Sequence, residues 1–257
     1  MIEKIKTLYW FFCRPNHWGH LFFLISRKFQ NNYDSEELRS QSTIWAKKRS
    51  VSTEKALKSI GVLEDNESLD LFIDPSLIEE AANLARQSKV EMGGEGSLNL
   101  IYSCALLNKS KRAVETGVAY GWSSLAFLVA LSKVNSSELV SVDMPYPKMN
   151  NEEFVGIAVP KRLRSNWKIF REPDKYGINK ALKYIGGTID ICHYDSDKSY
   201  QGRKYAYPLL WNSLSIGGIF ISDDIQDNFA FRDFVISKKL TFAVTEHQGK
   251  YIGVVKK

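Results

Sequence analysis

Residues 112–124, RAVETGVAYGWSS, carry the pattern from which the fold class is predicted most directly. A short apolar run ends near Glu115, Gly117 and Gly121 follow, and an apolar helical pattern begins at Trp122. Because glycine has no Cβ, the backbone can turn sharply at these positions and approach a ligand closely. A buried strand that turns through glycines into a helix is the usual opening unit of an open α/β sheet. The stretch therefore predicts a strand–turn–helix unit with a ligand at the turn.

Strand and helix patterns alternate from this unit to the C-terminus. The alternation predicts a doubly wound, mostly parallel α/β sheet with helices on both faces. A His-Gln-Gly-Lys turn near the end predicts a terminal hairpin, so one strand must run antiparallel to the others. The further strands are predicted in ELVSVD, NWKIFRE, IDICHYD, GGIFISDD and TFAVTEHQGKYIGVVKK.

Length and charge predict one large domain with an extension. The 257 residues carry a formal net charge of +6. Residues 1–60 hold 11 Lys and Arg against 5 Asp and Glu, so they account for the whole excess. A neutral body with a basic extension differs from a uniformly basic nucleic-acid-binding protein. We therefore predict a basic, aromatic, helical extension over 1–60 and the main domain over 61–257.

The beginning of the extension is unusually apolar. Two runs, LYWFFC (8–13) and LFFLI (21–25), are separated by a segment that contains Arg14 and Pro15. Each run is shorter than the ~20 residues that a membrane-spanning helix needs, and Arg14 and Pro15 interrupt any secretory signal. Two interpretations remain open. The segment packs on its own domain or on a dimer partner, or it lies on an anionic membrane surface.

Cysteine and histidine give no sign of a metal centre. Cys13, Cys104 and Cys192 are widely spaced and form no CxxC pair. The absence of a disulfide framework predicts a reducing cytoplasmic location. Contact with the inner face of the membrane is the alternative that the extension leaves open.

Acidic residues flank the glycine turn in a pattern that favours a nucleoside with a positive charge. Glu115 stands just before Gly117, where it would repel a pyrophosphate, and the spacing to Gly121 is not that of a dinucleotide fingerprint. Asp143 ends the next strand, a position from which its carboxylate can accept hydrogen bonds from the hydroxyls of a ribose. Ser123 stands where the following helix begins and has a free amide and hydroxyl. Together these features predict S-adenosylmethionine as the ligand.

A second group of acids follows two later predicted strands. IDICHYDSDKSYQG, residues 189–202, brings Asp195 to a strand end, and GGIFISDD brings Asp223 and Asp224 to the same edge. Carboxylates that close repel one another unless a cation neutralises them. An all-oxygen ligand set suits Mg²⁺ or a similar hard divalent ion.

The motifs VETGVAYGWSS, SVD, HYDSDKSYQG and GGIFISDD resemble those of class I methyltransferases. The likeness is to the bacterial group related to macrolide and aminocoumarin sugar O-methyltransferases and, more distantly, to catechol-type O-methyltransferases. It extends over about residues 90–257. It implies a Rossmann-like seven-stranded sheet with a reversed last strand. It also implies that the methyl donor is contacted by Glu115, Gly117, Gly121, Ser123, Asp143 and Asp195.

The same resemblance assigns roles to the second acidic group. It implies a divalent metal on Asp195, Asp223 and Asp224, with Asp197 as the general base. Asp174 falls near where the family contacts adenine, although the surrounding REPDKYG departs from the usual pattern.

The function predicted from the resemblance is metal-assisted O-methylation of a hydroxyl on a sugar, glycan or small natural product. A homo-oligomer is compatible with this prediction, and nucleic acid is not the expected partner. Three alternatives remain. The basic segment KRLRSNWKIFR (161–171) leaves open an RNA methyltransferase, and the fold class leaves open an NAD-dependent oxidoreductase, which Glu115 and the glycine spacing disfavour. The third is a non-catalytic membrane-associated scaffold with a methyltransferase-like fold.

Overall fold

The computed structural model describes residues 2–27, 32–146 and 150–257, which build one eight-stranded mixed sheet with helices on both faces. The helices are α1 (Ile2–Phe12), α2 (Trp18–Arg27), α3 (Glu36–Lys47), α4 (Thr53–Ser59), α5 (Pro75–Ala85), α6 (Leu98–Leu107), α7 (Trp122–Leu131), α8 (Asp174–Ile185), α9 (Tyr200–Ser213) and α10 (Ala230–Ser237). The strands are β1 (Ser50–Val51), β2 (Arg112–Thr116), β3 (Glu138–Val142), β4 (Trp167–Phe170), β5 (Ile189–Tyr194), β6 (Leu214–Ser222), β7 (Phe242–His247) and β8 (Lys250–Lys256).

The strand order is β1-β7-β8-β6-β5-β2-β3-β4. Strand β8 runs antiparallel to β6 and β7, and the other pairs are parallel. The predicted α/β fold with a reversed strand near the C-terminus is therefore confirmed. From β2 the sheet extends through β3 to β4 at one edge. The chain then returns to place β5 on the other side of β2, and β6 extends the sheet in the opposite direction. The carboxyl ends of β2 and β5 thus form the switch point, where open α/β sheets bind their ligands.

The sheet has one strand more than the sequence predicts. Strand β1 has only two residues, and Ser50 pairs with Val244 of β7 at the sheet edge. A two-residue strand is too short to show the alternation by which strands are recognised in a sequence. This strand comes from the segment that the sequence assigns to the extension.

Two apolar layers cover the sheet. On one face, Leu57 of α4 and Leu125 of α7 belong to the same buried cluster as strand residues such as Ile191. On the other face, Ala46 of α3 packs with Leu210 of α9 and the helices beside it. Residues before position 60 thus contribute to both cores, while the domain boundary itself stays a prediction.

The first two helices form what we call the N-terminal helix pair, α1 and α2. The indole Nε1 of Trp18 donates a hydrogen bond to the carbonyl of Phe11 over 2.9 Å, and the rings of Phe11 and His20 lie 6.2 Å apart. Arg27, at the end of α2, forms an ion pair of 3.0 Å with Asp197, which attaches the pair to the main domain. Among the described residues, no helix combines the length and hydropathy needed to cross a bilayer.

Candidate functional site

The carboxyl edge of the sheet opens into a cavity of about 470 Å³, which we call the central cleft. One wall is the glycine turn after β2, the opposite wall is the end of β5 and β6 with the β7–β8 turn, and the loop 91–97 borders it as well. The sequence did not assign this loop to the site, because Met-Gly-Gly-Glu-Gly carries no chemistry of its own. The predicted site residues that line the central cleft are Gly117, Ser123, Asp143, Asp195 and Asp223.

Gly117 is the point of closest approach between the two halves of the site. Its φ of +81° is in the left-handed region, and a Cβ at this position would lie 2.2 Å from the carbonyl oxygen of Asp195. Only glycine fits there. Gly121, with φ +91°, instead packs against Gly156 and does not line the cleft. The first glycine therefore serves the ligand cavity, and the second serves the packing behind the turn.

Glu115 lies behind the turn, fully buried and outside the lining of the central cleft. Its carboxylate accepts hydrogen bonds from three hydroxyl groups, those of Ser123 (2.5 Å), Ser124 (2.6 Å) and Ser141 (2.7 Å). Burial raises the pKa of Glu115, and His193 and these hydroxyls oppose the rise. Through the two serines of α7, Glu115 fixes the start of that helix beneath the turn.

Asp143 stands at the end of β3, as the sequence predicts, and is almost fully buried. One carboxylate oxygen accepts a hydrogen bond of 2.8 Å from the amide of Val118, which holds the glycine turn closed. The other oxygen forms an ion pair with Arg171, whose pKa burial lowers to about 10. Sequence patterns do not predict this contact of Arg171, because it depends on β3 and β4 lying side by side.

Three carboxylates, which we call the acidic cluster, meet at the ends of β5 and β6: Asp195, Asp223 and Asp224. Burial, followed by the charge of Asp223, raises the pKa of Asp195 to about 6. Burial alone would also raise the pKa of Asp224, but the charge of Lys198 outweighs it and the pKa is lowered. The carboxylates are therefore close enough to influence one another, as the sequence predicts.

Protein cations face each member of the acidic cluster. The ammonium nitrogen of Lys198 lies 3.1 Å from Asp195 and also contacts Asp224, which Lys250 approaches to 3.6 Å. His193 Nε2 lies 3.1 Å from Asp223. Burial by itself disfavours the protonated imidazole, but the charge of Asp223 raises the pKa of His193 to about 9. At neutral pH three cationic groups thus balance three carboxylates.

This arrangement does not fit the predicted divalent metal. Lys198 occupies the position between Asp195 and Asp224 that a shared ion would take, and Asp223 is directed at His193. In the parts of the chain that the structure describes, no group of three or more His, Cys, Asp and Glu has the geometry to hold a metal ion.

Asp197 lies outside the lining of the central cleft. Its carboxylate accepts hydrogen bonds from the amide (3.1 Å) and the hydroxyl (2.7 Å) of Ser199, the residue that caps α9. It also pairs with Arg27 of the N-terminal helix pair. The predicted general base therefore already has partners on both sides.

A second cavity, of about 560 Å³, lies between the N-terminal helix pair and the main domain, and we call it the chamber. Asp174 borders it and accepts hydrogen bonds from Ser196 (2.6 Å) and Tyr194 (3.0 Å). Burial raises the pKa of Asp174 to about 6. The apolar lining is aromatic and aliphatic and consists of Phe11, Phe23, Leu24, Met144, Tyr146 and Tyr205. The chamber and the central cleft share Gly117, Asp143, Tyr146, Ser196 and Lys198.

A family model matches the central part of the chain. Residues 114–225, from the glycine turn to the end of the acidic cluster, match a family model described as a methyltransferase domain. No curated protein sequence matches the chain. The predicted resemblance to class I methyltransferases is thereby confirmed for the segment that carries the site.

Solved structures resemble most of the chain at low sequence identity. An O-methyltransferase from Bacillus cereus in complex with SAH is 11% identical, with a TM-score of 0.56, and the match covers 82% of this chain and all of the other. A methyltransferase from Geobacter sulfurreducens is 14% identical, with a TM-score of 0.54 over 73% of this chain and 93% of its own. SAH-bound PaMTH1 of Podospora anserina is 16% identical, with a TM-score of 0.51 over 87% and 97%. These similarities confirm the methyltransferase fold.

Proposed function

We propose that this protein transfers a methyl group from S-adenosylmethionine to a hydroxyl of a polar acceptor, a sugar, glycan or small natural product. The observation that carries the proposal is the central cleft. It joins a nucleoside-type half, built on Gly117 and Asp143, to a half lined by carboxylates and ammonium groups. The match of residues 114–225 to a methyltransferase domain supports the same conclusion.

The two cavities suit the two ends of the donor. Asp143, at the strand end where a ribose is expected, borders both the chamber and the central cleft. The adenine ring is flat and largely apolar, so the aromatic chamber suits it. The charged amino-acid end suits the central cleft, where Ser123 and the backbone of loop 91–97 offer polar groups. To bind the ribose, Asp143 must loosen its ion pair with Arg171.

The acceptor side of the central cleft is polar and charged. Lys198 and Lys250 stand there with Asp195 and Asp223, and His247 and Gln248 come from the β7–β8 turn. Several hydrogen-bond donors and acceptors in one cavity suit a polyhydroxylated molecule better than an apolar one. This composition supports a sugar or sugar-like acceptor.

When bound, the donor supplies an electrophilic methyl carbon on a sulfonium. Transfer of that methyl group to the acceptor oxygen would break the carbon–sulfur bond and release a neutral thioether, and the proton of the acceptor hydroxyl would pass to the enzyme. An alcohol is a weak nucleophile at neutral pH, so the step requires a base. Asp195 lines the cleft with a pKa raised to about 6, close to the range in which a general base is most effective. The ammonium of Lys198 beside it would stabilise the charge that develops on the oxygen.

Asp197 is the competing base, because the resemblance assigns that role to it. To act, it must release Ser199 and Arg27 and turn toward the central cleft. We therefore place Asp195 first and retain Asp197 as the alternative that matched variants can test.

The metal that the resemblance implies requires a different arrangement of the acidic cluster. Lys198 would have to leave Asp195 and Asp224 before an ion could bind between them. We propose instead that the protein's own cations balance the cluster, and we assign no step to a metal.

The alternative of an RNA methyltransferase receives little support from the basic segment 161–171. Arg162 pairs with Glu80 over 2.5 Å, and Arg164 donates to the carbonyls of Val159 (2.8 Å) and Gly156 (2.9 Å). Arg171 is engaged with Asp143. These arginines serve the fold, and few of them remain to contact phosphates.

Two measurements test the proposed function. Isothermal titration calorimetry should detect binding of S-adenosylmethionine and of its demethylated product, and NAD should not bind. Incubation with methyl-labelled donor and fractionated cell extract should transfer label to a polar molecule, whose O-methyl group mass spectrometry then locates. If the donor binds but no extract accepts the label, the non-catalytic scaffold becomes the better interpretation. Failure to bind the donor would refute the proposal.

A further inference from the structure

The N-terminal helix pair has two apolar faces, and only one of them is used by the fold. On the inner face, Phe11 and His20 are buried and Phe23 lines the chamber. On the outer face, large side chains point into solvent, with Phe12 72% and Phe22 65% exposed. The exposed set consists of Leu8, Tyr9, Phe12, Trp18, Phe22 and Ile25.

Helical spacing brings these exposed residues together. Leu8 and Phe12 are four residues apart on α1, and Trp18, Phe22 and Ile25 follow at intervals of four and three on α2. Residues at such intervals share one side of a helix. Across the two helices, a common shallow apolar groove of about 500 Å³ is lined by Leu8, Tyr9, Phe12, Trp18, Leu21 and Phe22. We call this continuous surface the outer face.

A contiguous apolar surface of this kind marks a site of interaction. Its aromatic content is informative, because tryptophan and tyrosine favour the boundary between a lipid bilayer and water. The helices α1 and α2 have 11 and 10 residues. At 1.5 Å per residue each is only about 16 Å long, roughly half of the apolar thickness of a bilayer. A pair of such helices can lie in the bilayer surface and cannot cross it.

The charge of this part of the chain favours anionic lipid over a second copy of the chain as the partner of the outer face. Residues 1–28 contain five Lys and Arg and a single acid, Glu3. Arg14 is exposed at the turn between the helices, with its guanidinium 4.4 Å from the centre of the Trp10 ring. A second copy of the chain would bring the same positive charge against itself, whereas anionic lipid headgroups would neutralise it.

We propose that the outer face of the N-terminal helix pair lies on an anionic membrane surface. The aromatic and aliphatic side chains enter the headgroup boundary, and exposed basic side chains such as that of Arg14 contact lipid phosphates. The inner face of the same helices closes the chamber. The active site then lies about one helix diameter, roughly 10 Å, from the lipid, so that an acceptor carried at the membrane surface can reach it. Membrane binding itself does not depend on the proposed function.

The test is flotation of the full-length protein with vesicles. Vesicles that contain phosphatidylglycerol should carry the protein, vesicles of phosphatidylcholine alone should carry much less, and added salt should weaken the binding. The double variant Phe12→Ser, Phe22→Ser should bind at least about tenfold more weakly, because two aromatic anchors are lost. Phe72→Ser is the matched control, since Phe72 is 63% exposed but lies outside the helix pair. Circular dichroism and donor binding should be unchanged in both variants.

Three outcomes would overturn the proposal. The wild-type protein could fail to float with anionic vesicles, or it could bind both kinds of vesicle equally at all salt concentrations. In the third, light scattering after size-exclusion chromatography finds a dimer that the double variant dissociates, with no vesicle binding. The outer face would then be an interface between two copies of this chain.

Discussion

Glu115 and Asp195 are carboxylates at the ends of neighbouring parallel strands, yet they are neutralised in opposite ways. Glu115 pairs in register with His193, two residues before Asp195. Three serine hydroxyls satisfy Glu115, and it has no access to the central cleft. Asp195 is balanced by Lys198 and opens into the cleft. A carboxylate enclosed by hydroxyl donors stabilises the turn, whereas one that opens into the cleft beside an ammonium can exchange a proton.

The largest effect should come from removing the charge of Asp195. In Asp195→Asn the proton acceptor is lost, so we expect the turnover rate to fall by about 10²–10⁴-fold. Donor affinity should change far less. Single-turnover methyl transfer, with donor binding measured in parallel, tests this expectation. Asp197→Asn is the matched variant. If it loses the rate while Asp195→Asn retains it, Asp197 is the base.

Glu115→Ala should affect stability rather than chemistry. The substitution leaves three hydroxyls, of which those of Ser124 and Ser141 are buried, without their acceptor, and we expect the free energy of unfolding to fall by roughly 2–4 kcal/mol. Urea unfolding measures this loss, with the exposed Glu153→Ala as the control. The donor affinity of the folded variant should stay within about threefold of the wild-type affinity, as expected when the substituted residue does not contact the ligand. A large loss of affinity with unchanged stability would mean that Glu115 contacts the donor, as the sequence predicts.

Asp143→Ala should weaken donor binding by about 1–3 kcal/mol, or roughly 5- to 150-fold, through loss of hydrogen bonds to the ribose. The variant also frees Arg171 and releases the amide of Val118. Calorimetry with the demethylated product gives the affinity without turnover. Asp70→Ala, at an exposed position, is the control. An unchanged affinity in Asp143→Ala would remove Asp143 from the donor site.

The sequence predicted the elements of this site better than their contacts. Strand ends and the glycine turn depend on local patterns, and the residues predicted from them, Gly117, Asp143, Asp195 and Asp223, all line the central cleft. Their roles there stay predictions. The partners of these residues come from distant parts of the chain. The contact between Arg27 and Asp197 joins residues 170 positions apart, so it exists only in the folded chain.

The loop 91–97 is another part of the site that sequence patterns do not predict. It contributes shape and backbone groups to the cleft, and its residue types alone do not reveal that use. That Glu115 contacts the donor stays a prediction. An acid at the end of a first strand has the right position for ligand contact, and only the three serines around it show that it is enclosed.

Asp174 allows the cost of an enclosed charge to be measured by pH. Its pKa in the folded protein is raised to about 6 from the ordinary 3.8, so its ionised form opposes folding. That cost is absent below about pH 4, grows between pH 4 and 6, and is complete above pH 6. The substitution Asp174→Asn should therefore raise the free energy of unfolding, relative to wild type, more at pH 8 than at pH 4. Because Asp174 is only half-buried, screening limits the difference to about 1–2 kcal/mol. Unfolding curves at both pH values test it, and an equal effect at both would contradict the raised pKa.

Metal removal should have the smallest effect. It tests most directly whether protein cations, rather than a metal ion, balance the acidic cluster. If Lys198, Lys250 and protonated His193 balance the acidic cluster, EDTA should leave the activity within about twofold, because no ion is needed to hold the carboxylates together.

Lys198→Met removes the cation between Asp195 and Asp224 while keeping a similar side-chain length. This variant should bind Mn²⁺ more tightly than the wild-type protein, as measured by calorimetry or by thermal stabilisation. Lys204→Met, at an exposed position of α9, is the control and should not change Mn²⁺ binding. Loss of wild-type activity in EDTA that Mg²⁺ restores would show that Lys198 gives way to a metal during turnover. The acidic cluster would then be a metal site, as the resemblance implies.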